Sequence, residues 1–385
     1  MGASAEAIKA AYAAEADHDR PVFQAHEVPT SYKAITHTWL TAVLCNHAPG
    51  KKVTDFRFDE RDDGSSNRRR IFLSYNDAGR SAGLPDTVFC KAAETLENRI
   101  VLGVSDTARA ESDFYNLVRP RIDFEAPVPR FAKFDPNSFA YLIMMDDMAG
   151  KVHFPDERTT LTRNQAEALV TTLSQLHSRF YESPELGTAT LPFKHWPRWW
   201  RDMMTGAPDF PDYCSRGWDA AAHVMPDRLV RRSAEIWEAT ERSVARHLEL
   251  PRTLIHSDVH LKNWYITPDD RMGLADWQLT TIGHWSRDFI FSTLTALTVE
   301  QRRDWLEDLL RLYIDLMAEK GVPPIDFNDA LRNIRQQMFT ALAFWTITMR
   351  PTGDMPAMQP EHTTLEFLHR MGTAIDDYDA LDAFL

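Results

Sequence analysis

The prevailing spacing of apolar residues shifts near residue 150 from mainly strand-like to mainly helical, and that shift constrains the fold more than any other feature. From Val53 the period is two: Val53, Asp55, Arg57 and Asp59 alternate with Thr54, Phe56 and Phe58, as on a strand with one buried side. A polar turn at Glu60–Asn67 follows, then a returning strand at Ile71–Tyr75, a connector at Asn76–Gly83 and a third strand at Thr87–Lys91. Three consecutive antiparallel strands are the economical reading. A helix is predicted at Thr107–Val118, closed by Arg119-Pro120, and two more strands at Pro127–Phe134 and Phe139–Met145.

After Asp146–Gly150 the period becomes helical. Leu161–Phe180 spaces Ala168, Leu169, Leu173, Leu176 and Phe180 toward a core, and long helices are predicted at Arg228–Leu248, Val299–Lys320, Asp326–Met349 and Thr363–Tyr378. One mixed segment, Thr253–Trp277, interrupts them. The expectation is therefore an α+β fold: residues 1–35 as an N-terminal extension, 36–148 as a small antiparallel-sheet domain, and 149–385 as a larger, mainly helical one.

Composition narrows the partners. With 44% hydrophobic and 26% charged residues in 385, the chain has the make-up of a globular protein. Its net charge of -13 repels polyanions, so no nucleic-acid partner is expected. No stretch has the roughly 18 apolar residues of a membrane helix, so no membrane partner is expected and the location read is cytoplasmic. Cys45, Cys90 and Cys214 are widely spaced and odd in number, which suits reduced, buried thiols. An oligomeric state is not read from the sequence.

The chemistry concentrates in the mixed segment. Asp258 and Asn263 share a loop between the apolar anchors Leu254-Ile255 and Trp264-Tyr265-Ile266, and Asp276 follows the run Met272-Gly273-Leu274-Ala275. A loop carboxylate can accept a hydroxyl proton, while an Asn carbonyl and a second carboxylate hold hard divalent cations through oxygen. Such residues suit phosphoryl transfer, which also needs a fixed cation against the phosphates. Lys91 at the end of the third strand and Glu111 on the following helix can supply it as a pair. Gly64-Ser65-Ser66-Asn67 lies in a turn whose small residues let backbone N–H groups approach phosphate oxygens.

Together these residues resemble the aminoglycoside phosphotransferase and choline kinase-like superfamily, and most closely its ecdysteroid-kinase-like branch. The resemblance spans about residues 36–300. It is carried by His256-Ser257-Asp258-Val259-His260-Leu261-Lys262-Asn263, Asp276-Trp277-Gln278 and Arg287-Asp288-Phe289. It implies a protein-kinase-like, two-lobed fold that uses ATP and Mg2+ to phosphorylate a small-molecule hydroxyl acceptor, namely a steroid or terpenoid alcohol, an amino alcohol or a sugar. It further implies Asp258 as the catalytic residue and Asn263 and Asp276 as magnesium ligands. Lys91, Glu111, Ser65, Ser66, Asn67, Met145 and Asp147 would be the nucleotide contacts, with the Met144–Met148 backbone facing adenine and Asp288 fixing the loop. Lys262 departs from the glycine common before the metal-binding Asn.

Three other readings stand beside this one. His256, Asp258 and His260 alternate as metal ligands on an extended segment would. The chain could bind nucleotide as a catalytically silent scaffold. The tryptophans at 196, 199 and 200 fit either a pocket wall or core packing.

Overall fold

The computed structural model describes residues 3–45, 49–350 and 359–385, which divide into two compact units. Unit 1 is Met1–Arg121 with Pro127–Lys151; unit 2 is Ile122–Ala126 with Val152–Leu385.

Unit 1 opens with helix α1 (Ala5–Ala14), started by the Ser4 hydroxyl accepting from the Ala7 N–H, and α2 (His37–Leu44), started likewise by Thr36. Strands β1 (Val53–Phe58), β2 (Asp62–Asp63) and β3 (Asn67–Tyr75) follow. The connector expected at 76–83 contains a short helix, α3 (Asp77–Arg80), because the Asn76 side chain caps the Gly79 N–H. Next come β4 (Thr87–Ala92), α4 (Leu96–Val104), α5 (Thr107–Asp113), β5 (Pro129–Phe134) and β6 (Tyr141–Asp146). The sheet runs β1-β3-β4-β6-β5, antiparallel throughout, with β2 paired to β3.

Ile71, Val88, Cys90, Leu142 and Met144 bury one face of the sheet against Trp39 and Leu40 of α2. Each such side chain contributes about 1.5–3 kcal/mol by leaving water. Helix α4 was not expected. Its Gly103 lets α1 approach so closely that an added Cβ would sit 2.8 Å from Ile8 Cδ1. The expected single helix at 107–118 is α5 followed by a wider π-type turn, Phe114–Val118.

The residues ahead of Thr36, expected as an extension, are packed into unit 1, where Ile8, Val22 and Tyr32 are buried. Arg99 of α4, fully buried, fastens them. Its guanidinium donates to the carbonyls of Thr30 (3.1 Å), Ala93 (3.1 Å) and Ser138 (3.0 Å) and pairs with Glu15.

Unit 2 begins with α6 (Arg163–Arg179), whose Thr162 and Gln165 cap each other reciprocally. The tryptophan-rich stretch forms α7 (Trp196–Gly206) and α8 (Phe210–Ala221). The helix expected over Arg228–Leu248 is broken into α9 (Asp227–Arg231) and α10 (Ile236–Arg246), because Arg232 turns to hold Glu235 and Asp382. Short strands β7 (Thr253–Ile255), β8 (Trp264–Ile266), β9 (Met272–Leu274) and β10 (Thr281–Gly283) form the antiparallel pairs β7–β10 and β8–β9.

Helices α11 (Ser286–Ala296), α12 (Val299–Glu319), α13 (Phe327–Gln336), α14 (Met338–Met349) and α15 (Glu361–Asp377) complete the unit. The expected helix over Asp326–Met349 is divided at Gln337, whose side chain bonds His247 and the Ser243 carbonyl instead of facing solvent. The α+β class is as expected, with an antiparallel sheet in the first unit and helices dominating the second. All three cysteines are buried free thiols, and no helix among the described residues is long and apolar enough to cross a membrane.

Candidate active site

In unit 2 the loop after β7 is held by a carboxylate behind it. Asp288, fully buried near the start of α11, accepts the His256 N–H at 2.6 Å and the Ser257 N–H at 2.9 Å, and His177 Nε2 lies 3.3 Å from it. Burial opposes its charge, yet the bond from His177 and the nearby cationic groups keep its carboxyl below the usual range. Arg287 adds a bond to the Ser257 carbonyl at 2.7 Å and lays its guanidinium over the Trp196 ring. These contacts hold Ser257 at φ +69°, a left-handed conformation that a residue with a Cβ adopts only when its surroundings impose it.

His256 cross-braces the loop: its Nε2 donates to the Ala275 carbonyl at 2.9 Å and its Nδ1 accepts the Asp258 N–H at 3.2 Å. Burial pushes its pKa down, which favours the neutral ring that this pattern requires. With both nitrogens engaged, His256 does not fit the metal-ligand reading. Among the described residues no group of three or more His, Cys, Asp or Glu is arranged for a metal.

Asp258, Asn263 and Asp276 come together through this frame. The Asn263 amide donates to the Asp258 carbonyl at 2.7 Å and to its carboxylate Oδ2 at 3.3 Å. The Ala275 N–H donates to the Asn263 carbonyl at 2.8 Å, which sets Asp276, at φ +62°, beside that residue. Because the Asn263 NH2 group faces Asp258, its Oδ1 points away. That oxygen and the Asp276 carboxylate make a hard donor set that fits magnesium. Lys262 reaches the Gln359 side chain at 2.7 Å, so the residue in the usual glycine position turns its charge elsewhere. His260 packs edge-on against Trp345, with Nε2 3.8 Å from Asp258 Oδ2.

Unit 1 pairs Lys91 with Glu111. The ammonium of β4 lies 2.8 Å from the α5 carboxylate, and the Tyr141 hydroxyl donates to the other oxygen at 3.3 Å. Lys91 is 7% exposed and Glu111 0%. Ser65 is exposed, but Ser66 and Asn67 are buried.

Asn67 is engaged through its acceptors. Its Oδ1 accepts the Glu94 N–H at 2.8 Å and its carbonyl accepts the Tyr32 hydroxyl at 2.8 Å, so its polar groups brace the turn. Met145 lies within β6, paired to Phe89 on one side and Pro129 on the other. Asp147 is buried, its carboxylate accepting from Arg70 Nε at 2.9 Å and the Ala149 N–H at 3.1 Å; it ties the strand end to the sheet. His177 and Tyr32 had no signal in the sequence, since their partners Asp288 and Asn67 lie far along the chain. Trp196, Trp199 and Trp200 are buried among Phe210, Cys214, Val244 and Ile255, which is helix packing.

A chain built this way falls in the class of phosphotransferases. The sequence profile of the phosphotransferase enzyme family matches residues 86–322, more than half of the chain, and the chain belongs to that family. It is a phosphotransferase, the broad enzyme class expected. No curated protein matches its sequence. Similar solved structures include an ethanolamine kinase of Plasmodium vivax, at 10% identity over 85% of this chain and 83% of that one, TM-score 0.48. A macrolide 2'-phosphotransferase from Brachybacterium faecium shares 15% identity over 87% and 97%, TM-score 0.46. A choline/ethanolamine kinase family protein from Mesorhizobium loti shares 13% over 89% and 97%, TM-score 0.48.

Proposed function

We propose that this chain transfers the γ-phosphate of ATP, with magnesium, to a hydroxyl of a small molecule: a steroid or terpenoid alcohol, an amino alcohol or a sugar. The observation that carries the reading is the clamp between Asn263 and Asp258. It ties one carboxylate oxygen to an amide donor and leaves the other to accept a proton. As the acceptor oxygen bonds to the γ-phosphorus, its proton passes to Asp258. The bond from phosphorus to the β,γ-bridging oxygen breaks, and ADP departs with that electron pair.

Lys91, held by Glu111, neutralises charge on the phosphates, and the Ser65 and Ser66 backbone lies toward them. The backbone of the Met144–Met148 segment takes the base. Magnesium, when held by Asn263 Oδ1 and Asp276, supplies further charge neutralisation. Asn67 is assigned to bracing the turn, and Asp288 to holding the loop.

The test is a screen of hydroxyl compounds for phosphate gain by mass spectrometry, with Asp258→Ala as control. Transfer is expected to fall by about 10²–10⁴, with MgATP affinity kept within severalfold. Near-normal turnover in that variant refutes the mechanism. A wild-type chain that binds MgATP yet phosphorylates nothing favours the silent scaffold.

A further inference from the structure

The turn at residues 64–67 leads from β2 into β3, and Asn67 pairs across the sheet with Ala92, next to Lys91. Side chains from elsewhere in unit 1 hold this turn from one side. Asn98, on α4, directs its Nδ2 at two successive carbonyls, Gly64 at 2.9 Å and Ser65 at 2.8 Å. The Asn98 Oδ1 accepts from the Thr95 hydroxyl at 2.7 Å, and the Asn98 N–H donates to that same hydroxyl, which fixes the amide's orientation at the start of the helix. At the far end of the turn the Tyr32 hydroxyl donates to the Asn67 carbonyl.

A trans peptide points its N–H opposite to its C=O. Drawing the Gly64 and Ser65 carbonyls onto one amide group therefore turns the Ser65 and Ser66 N–H groups to the side away from α4. Adjacent backbone donors facing one side suit the separate oxygens of a polyphosphate. Neither bond to Asn98 touches a side chain of the turn, so the device acts on backbone direction alone.

We propose that Asn98 is a positioning residue for a nucleoside polyphosphate, holding the 64–67 turn so that its backbone donors meet the phosphates. The inference rests on the nucleotide reading of unit 1. Loss of two neutral hydrogen bonds lowers affinity by about tenfold, and the loss falls on phosphate contacts and spares the nucleoside.

The experiment compares binding of MgATP and of adenosine by calorimetry for the wild-type chain, Asn98→Ala and Asn98→Asp. Asn98→Ala is expected to weaken MgATP about tenfold with adenosine unchanged. Asn98→Asp keeps the size but sets a carboxylate against two carbonyls, and is expected to weaken MgATP further. Tyr32→Phe, which removes one hydroxyl and keeps the packed ring, is expected to weaken MgATP about threefold with the same sparing of adenosine. MgATP affinity that is unaltered in these variants, or that falls in step with adenosine, overturns the role of Asn98 alone. A wild-type chain without affinity for MgATP overturns both this inference and the nucleotide reading.

Discussion

Lys91 and Glu111 are opposite charges taken out of water together, and the cost of that arrangement makes their role testable. A buried pair gains little stability over an apolar pair of similar size, whereas removing one partner strands a charge. Lys91→Met should destabilise by about 3–5 kcal/mol, and Lys91→Met with Glu111→Leu should regain most of it. Thermal melts read the stability and calorimetry reads MgATP affinity, which both variants should lack. A double variant that binds MgATP normally would assign the pair to stability alone. At this scale the grouping of Asp258, Asn263 and Asp276 was legible because they lie in one short stretch whose residue types suit one chemistry. The bonds of Asn67 to Tyr32 and Glu94 were not, because they form only once the chain has folded. His177 was silent for the same reason: Asp288 reaches it from a distant helix.

Gly217 of α8 shows how two helices set their separation. A Cβ there would stand 1.8 Å from the Thr346 carbonyl oxygen of α14, a backbone atom that no rotamer change can move aside. Gly217→Ala should therefore destabilise by about 1–3 kcal/mol or more, as overpacking does; an unchanged melting temperature would show that the helices shift freely. Helix existence was legible from periodicity, but helix ends were not. The 326–349 pattern is continuous, and its break at Gln337 comes from bonds to His247 and Ser243 on another helix. α4 was missed because Leu96–Val104 buries Arg99 and Gly103 alongside Leu102, so its inner face does not read as apolar.

Over the whole molecule, buried imidazoles link stability to pH. Burial pushes His247 down to about 3, lowers His256 and His260, and holds His284 well below 6.5. Folded values below the unfolded one mean that the unfolded chain binds more protons as pH falls below 6.5. Their stabilisation is thus complete above that pH and is lost below it, for His247 by about 1.4 kcal/mol per pH unit between 6.5 and about 3. Melting temperatures between pH 7.5 and 5 should fall with acid, and less steeply in His247→Gln; a flat profile would contradict the burial of neutral rings. The split between sheet and helices was legible from the shift in the prevailing period, while the place of the first thirty-five residues was not, since Arg99, which fastens them, lies far along the chain. One guanidinium, that of Arg99, collects acceptors from the opening segment, from α4's own approach and from the turn before β6. The opening segment should consequently melt as part of one cooperative block with the strand that bears Lys91, where a loosely attached segment would fray independently.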